Sequence, residues 1–148
     1  MNIDVKVKLI RETSKLPEYA TDGAAACDLV ADITENVVLE PGKRKLIPTG
    51  IAIELPSKDV VALVYARTGL ATKKGVHLAN CVGVIDSDYR GEIGVCLTNE
   101  DDDVFIIEPG MRIAQLCFTP IYKAKLKAVD NLEDTDRGTG GFGSTGTK

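Results

Sequence analysis

The chain has 148 residues, of which 44% are hydrophobic and 27% are charged, and its formal net charge at pH 7 is -4. Its length fits one domain with a real core, and no apolar run is long enough to span a membrane. The negative charge argues against binding of polymeric nucleic acid, which needs clustered cations. The first residues lack an apolar signal segment, so we expect a cytoplasmic protein.

Short β-branched runs separated by turn residues follow one another along the chain. The first, Ile3 to Leu9, alternates apolar and polar residues as a half-buried strand does. Seven further runs have strand character: Val37 to Leu39, Ile51 to Leu55, Val60 to Tyr65, Val76 to Leu78, Ile93 to Leu97, Val104 to Ile107 and Ile113 to Phe118. This pattern predicts an all-β sandwich or barrel.

One short helix and two matching turns interrupt the strands. The helix is predicted over Thr68 to Lys74, with Thr68 as N-cap and Gly75 at its end. Leu39-Glu-Pro-Gly42 and Ile107-Glu-Pro-Gly110 each place Pro and Gly where a type II turn prefers them. We interpret them as repeated turn chemistry and not as a repeat protein.

The remaining polar segments predict little fixed structure. The acidic run 100–103 is interpreted as a solvated loop tip, because adjacent carboxylates splay apart in an extended chain. Apolar content falls from about Asn131 onward, so we expect the core to end near Val129. The four cysteines are scattered and there is a single histidine, His77, so the sequence gives no zinc framework. We interpret the cysteines as buried free thiols and His77 as a surface side chain.

The C-terminal segment contains the letters GFGSTG at 141–146, which match a dinucleotide-binding pattern. That pattern needs a helix after its glycines, and only two residues follow here, so we reject the match. A Walker loop is rejected because its Lys-Ser/Thr pair is absent. A frayed tail is the ordinary alternative, although the segment from Arg137 carries a cation, an aromatic ring and three hydroxyls.

Five segments, in this order, resemble the motifs of the trimeric dUTP pyrophosphatase family, the dUTPases. They are Gly23-Ala-Ala-Ala-Cys-Asp-Leu29, Ala66-Arg-Thr-Gly-Leu-Ala71, Gly83-Val-Ile-Asp-Ser-Asp-Tyr-Arg-Gly91, Gly110-Met-Arg-Ile-Ala-Gln115 and Arg137-Gly-Thr-Gly-Gly-Phe-Gly-Ser144. The resemblance implies a jelly-roll β-barrel over 1–130, assembled as a homotrimer with sites shared between subunits. It also implies that a flexible Gly-rich arm, 131–148, closes over a neighbouring subunit's site.

The same resemblance implies hydrolysis of dUTP to dUMP and pyrophosphate, which supplies dUMP for dTTP synthesis and keeps uracil out of DNA. Water would attack the α-phosphorus, with Mg²⁺ bridging the three phosphates. Asp86 is the candidate base. Asp28 matches an acid that supports the metal-bound water shell, and an Asx turn or a salt bridge is the alternative explanation.

The substrate-binding residues are likewise assigned by resemblance. Tyr89 would pack under the deoxyribose and leave no room for a 2′-hydroxyl. Uracil would be recognised by backbone groups around Gly83, Val84, Ile85 and Gly94, with Asn80 nearby. Arg67, Thr68, Gly69 and Gln115 match phosphate-binding positions. In the arm, Phe142 would stack on the uracil, while Arg137, Gly143 and Ser144 would hold the terminal phosphates.

Two departures from the family pattern and three rival functions stay open at this point. Thr68 stands where serine is usual, and Ala26 replaces a frequent glycine, so a positive φ there would be strained. The rivals are a dCTP deaminase of the same fold, a nucleotide-binding regulatory module without turnover, and a purely structural jelly roll. The Gly-Val-Ile-Asp loop and the aromatic arm favour the hydrolase over the deaminase, and Phe142 in the glycine-rich tail argues against a structural jelly roll. A regulatory module would not need Asp86, and this alternative stays open.

Overall fold

The computed structural model of the chain describes residues 2–142 and 144. Within this part the chain forms eleven strands and one helix. In chain order they are β1 Lys6–Leu9, β2 Cys27–Val30, β3 Val37–Leu39, β4 Arg44–Pro48, β5 Ile51–Glu54, β6 Val60–Ala66, α1 Thr68–Lys74, β7 Val76–Leu78, β8 Gly83–Ile85, β9 Gly94–Asn99, β10 Phe105–Ile107 and β11 Arg112–Pro120. The predicted all-β class and the single short helix are confirmed.

Three strands were not predicted from the sequence, namely β2, β4 and β8. Each carries residues that local propensity disfavours in strands: an aspartate in β2, a proline in β4 and a glycine in β8. Each is nevertheless paired along its length with a longer strand, β11, β9 and β6 respectively. Tertiary pairing therefore overrides local preference at these three places.

The strands form four separate hydrogen-bonded sheets around one core. Their orders are β1-β5, β10-β3, β2-β11-β6-β8 and β4-β9-β7. Among the described residues no ladder joins these sheets into a closed barrel, so the predicted barrel closure is not found. The four sheets instead share a single cluster of buried side chains that includes Leu29, Leu39, Ile107 and Leu116.

The two Glu-Pro-Gly turns have the predicted type II geometry. Gly42 and Gly110 have φ values of 67° and 75°, a conformation that only glycine adopts at low cost. The Gly42 N–H donates to the Asn99 carbonyl, and the Gly110 N–H donates to the Ala31 carbonyl, each at 2.8 Å. Each turn thus connects to one ladder, β4·β9 in the first case and β2·β11 in the second.

The core ends earlier than the sequence predicts. Among the described residues the last buried side chain is Leu116 in β11. Beyond β11 the apolar residues Tyr122, Leu126, Val129 and Leu132 are exposed. No helix in the part of the chain that the structure describes is both long enough and apolar enough to cross a membrane.

Candidate functional site

Two clusters of predicted site residues lie on the sheet ordered β2-β11-β6-β8. The first surrounds a pocket of about 370 Å³ beside β2, β11 and the start of α1. The pocket brings together five of the predicted residues: Asp28, Arg67, Thr68, Gly69 and Gln115. Leu70 and three alanines complete its lining, so the pocket has both charged or polar groups and apolar side chains.

Asp28 is the electrostatic centre of this pocket. It lies opposite Gln115 in the β2·β11 ladder. Its Oδ1 is 2.9 Å from Arg67 Nε, and its Oδ2 is 3.1 Å from Arg112 Nη1. Both carboxylate oxygens therefore pair with a guanidinium in a partly desolvated place. The salt bridge that the sequence offers as one role of Asp28 is confirmed.

Arg112 belongs to this cluster, although sequence reasoning gave it no role. It lies opposite Val30, and the ladder shifts register between Arg112 and Ala114. Asp28 is two residues along β2, within reach of a diagonal cross-strand contact for a long side chain. Only the register of β2 against β11 reveals this neighbour, and the sequence contains no direct signal of it.

The junction of β6 and α1 holds Arg67. The helix N-cap is Arg67 and not Thr68, so the predicted cap is wrong. Thr68 is already the first helical residue, and no side chain caps the helix. The Gln115 Nε2 donates to the Ala66 carbonyl at 2.8 Å, which fixes the residue before Arg67. The helix ends at Gly75 with a φ of 59°, as predicted.

The second cluster is the segment 83–94. Its first three residues form β8 on the edge of the sheet. Asp86 follows directly and is exposed. The turn there is closed through the backbone, because the Tyr89 N–H donates to the Asp86 carbonyl at 3.1 Å. The carboxylate of Asp86 is therefore not used to close the turn.

The Tyr89 side chain packs on the backbone of residues 91 and 92 in this segment. Its hydroxyl donates to the Glu92 carbonyl at 3.0 Å. A Cβ placed on Gly91 would lie 2.3 Å from that hydroxyl, so the absence of a side chain at position 91 allows the ring to rest on the backbone. Tyr89 is 45% exposed. A partly exposed ring with its hydroxyl fixed is suited to pack against a flat or puckered ligand.

The other predicted residues of this cluster lie beside β8 and β9. The side-chain nitrogen of Asn80 is 3.7 Å from the place of a Cβ on Gly83, so Asn80 flanks the start of β8. Val84 is exposed at the sheet edge. A Cβ on Gly94 would lie 2.8 Å from Leu46 Cδ1, so glycine leaves room for that neighbour.

The two clusters do not meet within one chain. Ile85 pairs with Ala62 in the antiparallel β6·β8 ladder, so Asp86 is level with residue 61. Arg67 follows the opposite end of β6. Six residues of strand separate the two levels, which corresponds to about 20 Å at about 3.3 Å per residue. Asp86 and Arg67 therefore lie at opposite ends of the sheet.

The glycine-rich C-terminal segment makes local contacts. The Arg137 Nε donates to the Gly140 carbonyl at 2.9 Å, and the Ser144 N–H donates to the Gly141 carbonyl at 3.0 Å. Phe142 is fully exposed and has a φ of 51°. Gly143, the remaining predicted residue of this segment, lies outside the described residues.

A third cluster, the Arg11 network, was missed by sequence reasoning because its members are far apart in the chain. The Arg11 side chain lies between the carboxylates of Asp32 and Glu92. Burial raises the pKa of Asp32, but hydrogen bonds from Thr13, Ser14 and Arg11 outweigh it and hold that pKa below its ordinary value. The hydrogen bond from Arg11 lowers the pKa of Glu92. Both acids are therefore held in their charged form.

The anticipated strain at Ala26 is absent. In the described part of the chain the non-glycine residues with positive φ are Cys81 and Phe142. All four cysteines are free, but only Cys27 is buried, so the prediction of buried thiols holds for one of them. Burial raises the pKa of the Cys27 thiol, which fits a packing role.

Other candidate ligands remain apart from the clusters. The acidic run 100–103 is exposed, as a loop tip should be. His77 is half-buried, with its Nε2 3.2 Å from Glu100 Oε1. Across residues 2–142 and 144 no group of three or more His, Cys, Asp or Glu side chains is arranged to hold a metal ion.

Comparison of the sequence with known families and proteins gives one consistent result. A family model for dUTPase matches residues 12–146. The chain is 51% identical over 147 residues to a deoxyuridine 5'-triphosphate nucleotidohydrolase of Desulfitobacterium hafniense, covering 98% of this chain and 97% of that protein. It is 47% identical over 148 residues to the protein of that name from Enterobacter sp. (strain 638), covering 99% and 97%.

Solved structures with a similar fold include two phage proteins. The Staphylococcus bacteriophage 80alpha dUTPase with dUPNHPP superposes with a TM-score of 0.83 at 28% identity, covering 97% of this chain and 99% of that chain. A variant of the dUTPase from phage phi11 of S. aureus, known for the coordination of a structural Mg(II) ion, has a TM-score of 0.79 at 25% identity. That match covers 88% of this chain and 99% of the phage chain.

Proposed function

Because the chain belongs to the dUTPase family, as the match over residues 12–146 and the 51% identical relative show, we propose that it hydrolyses dUTP to dUMP and pyrophosphate. The observation that supports this most strongly is the pocket that gathers Asp28, Arg67 and Gln115 from three separate motifs. The reaction would supply dUMP for dTTP synthesis and would keep uracil out of DNA.

The pocket supports binding of the phosphate chain. Arg67 presents a charged fork whose Nε is already held by Asp28 at 2.9 Å, so its orientation is fixed before substrate arrives. Thr68 supplies a hydroxyl beside it, and Gly69 leaves its surroundings open, with nothing within 4 Å of a Cβ placed there. Gln115 orders the backbone before Arg67 and borders the same space.

The residues of the pocket fit Mg²⁺ held indirectly. Magnesium usually keeps several waters and is held by one or two carboxylates together with substrate phosphates. Both oxygens of Asp28 already accept hydrogen bonds from arginines, so this acid would contact the metal through water. When bound, Mg²⁺ would supply positive charge that stabilises the negative charge developing on the phosphates.

The segment after β8 supports the chemical step and the choice of nucleoside. Asp86 would hold the attacking water and accept its proton, since its carboxylate is exposed and is not used to close its own turn. Tyr89 would pack under the deoxyribose. The uracil edge would meet backbone groups of 83–85 and Gly94, with Asn80 at the side, in a slot too narrow for the methyl group of thymine.

The separation of the two clusters supports a homotrimeric jelly roll with shared sites. A triphosphate is shorter than the strand separation of about 20 Å between the levels of Asp86 and Arg67. The proposal therefore places the Asp86 and the Arg67 that act on one nucleotide on neighbouring copies. After β11, residues 122–128 alternate apolar side chains with lysines, a strand pattern that pairs with no strand in the part of the chain that the structure describes.

The arm, 131–148, would complete the site on a neighbouring subunit. Phe142 is fully exposed, and Arg137 is exposed as well. An aromatic ring and a cation on a glycine-rich segment are suited to stacking on uracil and pairing with phosphates. Ser144 and Gly143 would add hydrogen bonds to the terminal phosphates.

The test of this function is pyrophosphate release from dUTP, dCTP, dTTP and UTP, with Mg²⁺ and with a chelator. We expect fast, Mg²⁺-dependent release from dUTP alone. Ammonia release from dCTP would replace the proposal with a deaminase. Tight dUTP binding without any turnover would replace it with a regulatory module.

Mixed assemblies test the shared site. Asp86→Asn should bind dUTP and lose turnover by about 10²–10⁴-fold, the contribution of a positioned base. Deletion of 137–148 should leave the fold intact and also abolish most turnover. If sites are shared, coassembly of the two inactive chains restores part of the activity, because some sites then receive Asp86 from one chain and the arm from another. Absence of rescue in assemblies shown to contain both chains would contradict sharing.

A further inference from the structure

The Arg11 network is joined through Glu92 to the segment that carries Asp86 and Tyr89. At its centre the buried carboxylate of Asp32 accepts hydrogen bonds from Arg11 Nε at 2.9 Å, Thr13 Oγ1 at 2.6 Å and Ser14 Oγ at 2.7 Å. Asp32 is 8% exposed. A carboxylate so far removed from water persists as an anion only with such partners, so its position is tightly fixed.

Arg11 transmits this fixed position to Glu92. Its Nη1 donates to Glu92 Oε2 at 3.1 Å, and its Nη2 donates to Oε1 of the same carboxylate. Glu92 Oε1 also accepts the Gly50 N–H at 2.8 Å. The guanidinium thus holds one acid by its Nε and the other by its fork, a geometry that a lysine cannot reproduce.

Glu92 in turn holds Tyr89 in place. The carbonyl of Glu92 accepts the Tyr89 hydroxyl at 3.0 Å, and the ring rests on Gly91. A continuous chain of contacts therefore runs from Asp32 through Arg11 and Glu92 to the Tyr89 ring. The Arg11 fork therefore holds the side chain of the same residue whose backbone carbonyl holds this hydroxyl.

We propose that Arg11, acting with Asp32 and Glu92, is a positioning residue that fixes the Tyr89 ring and thereby sets the preference for deoxyribose over ribose. This inference rests on the proposed role of Tyr89 under the sugar. None of the three residues needs to touch the nucleotide. They act because a ring that can shift by a fraction of an ångström can make room for a 2′-hydroxyl.

The experiment measures kcat/KM for dUTP and for UTP with the assembled full-length protein. In Arg11→Lys the charge stays but the fork is lost, so the dUTP/UTP ratio should fall by roughly tenfold, as expected for a small displacement of a positioned group. Glu92→Gln, which keeps the Gly50 contact, should lower the ratio by a smaller factor. The control is Glu54→Gln, because Glu54 pairs with Lys6 at 2.7 Å on the surface and should not change the ratio.

The ratio separates positioning from mere stability. A variant that is only less stable loses both activities equally and keeps its ratio. Tyr89→Ala should lower the ratio at least as far, and adding Arg11→Lys to it should lower it no further. An unchanged ratio in folded Arg11→Lys overturns the inference. If Arg11→Lys does not fold, an unchanged ratio in Glu92→Gln overturns it.

The outcomes also distinguish this inference from its premise. Wild-type protein without dUTP turnover would overturn the proposed function. A normal ratio in Tyr89→Ala would overturn the role of Tyr89 and, with it, this inference. A lowered ratio in Tyr89→Ala, together with an unchanged ratio in Arg11→Lys and Glu92→Gln, would overturn the positioning role alone.

Discussion

The ladders β2·β11 and β4·β9 share a backbone arrangement and differ in what they carry. Each receives a Glu-Pro-Gly turn whose glycine donates to the ladder at 2.8 Å. Residues 27–30 and 95–98 alternate buried and half-buried in the same order. At equivalent pairs, however, Asp28 faces Gln115 in the first ladder, whereas Cys96 faces Leu46 in the second. Two ladders with similar backbones therefore carry different side chains, and the polar pair lies on the ladder that lines the candidate pocket.

A local irregularity separates the two ladders further. The β2·β11 register shifts between Arg112 and Ala114, while β4·β9 is continuous from Arg44 to Pro48. Arg112 and Arg44 hold equivalent places just after the turns, but only Arg112 pairs with an acid, at 3.1 Å. A bulge is a common device for redirecting a side chain towards a site.

The largest difference between the two ladders is expected when the polar pair of Asp28 and Gln115 is changed. Asp28→Asn removes the charge that orients Arg67 and Arg112, and a charge-assisted hydrogen bond of this kind corresponds to roughly 10- to 100-fold in kcat/KM. If Asp28 supports the proposed Mg²⁺ site through water, the variant should also need more Mg²⁺ for half-maximal rate. Cys96→Ser, the equivalent change in the other ladder, should stay within about twofold. Equal losses in steady-state kinetics on dUTP would show that both ladders serve the site.

The second prediction concerns the arginines after the turns. Arg112→Ala leaves one oxygen of Asp28 without its partner and should lower kcat/KM by about tenfold. Arg44→Ala removes an exposed side chain opposite Thr98 and should change little. The two proteins are compared by dUTP kinetics at a temperature where circular dichroism shows both to be folded. A loss confined to Arg44→Ala would reverse the assignment.

The third prediction tests whether the two Glu-Pro-Gly turns contribute equally to stability. Gly42→Ala and Gly110→Ala each force a Cβ into a positive-φ conformation, at a cost of about 1 kcal/mol in unfolding free energy. Thermal or urea unfolding should therefore show similar losses. Only Gly110→Ala should also slow turnover, because its turn leads into Arg112. Clearly unequal stability losses would mean that the turns are not equivalent.

The smallest effect is a difference in acid sensitivity. Asp32 and Glu100 follow the two ladders at equivalent positions, but Asp32 is buried and has a lowered pKa in the folded state, whereas Glu100 is exposed. A lowered pKa contributes stability that is present above the pKa of the unfolded chain and is lost as pH falls through the folded value. From about pH 6 to pH 3, Asp32→Asn should lose less unfolding free energy than wild type, measured by urea unfolding.

The matched variant is Glu100→Gln, which removes an exposed carboxylate at the equivalent position and should reduce the acid-induced loss of unfolding free energy less than Asp32→Asn does. A wild-type slope in Asp32→Asn would mean that other carboxylates account for the acid sensitivity.

Sequence reasoning found what local chemistry encodes. The alternation in β1, the β-branched runs, the two type II turns and the bounds of α1 follow from propensity and turn geometry. It missed β2 and β8 because an aspartate or a glycine in three or four residues hides a strand that tertiary pairing creates. The cap at Arg67 was misplaced by one residue, since hydroxyl chemistry alone does not fix where the backbone turns helical.

Some residues of the candidate site could be identified from the sequence, and others only from the structure. Asp28, Arg67 and Gln115 were named by resemblance, and the pocket brings them together. Arg112 and the Arg11 network could not be found, because their meaning depends on strand register and on contacts between residues 11, 32 and 92. Long-range partners of this kind leave no periodic trace in one sequence.

Gly50 has a consequence for how this chain can evolve. Its φ is 74°, and a Cβ there would lie 2.1 Å from Asp32 Oδ2 and 2.3 Å from Ser14 Oγ. A side chain can enter position 50 only after positions 14 and 32 have become smaller, so the order of substitutions matters. Among descendants of this sequence, these three positions should vary together or not at all, although they lie far apart in the gene.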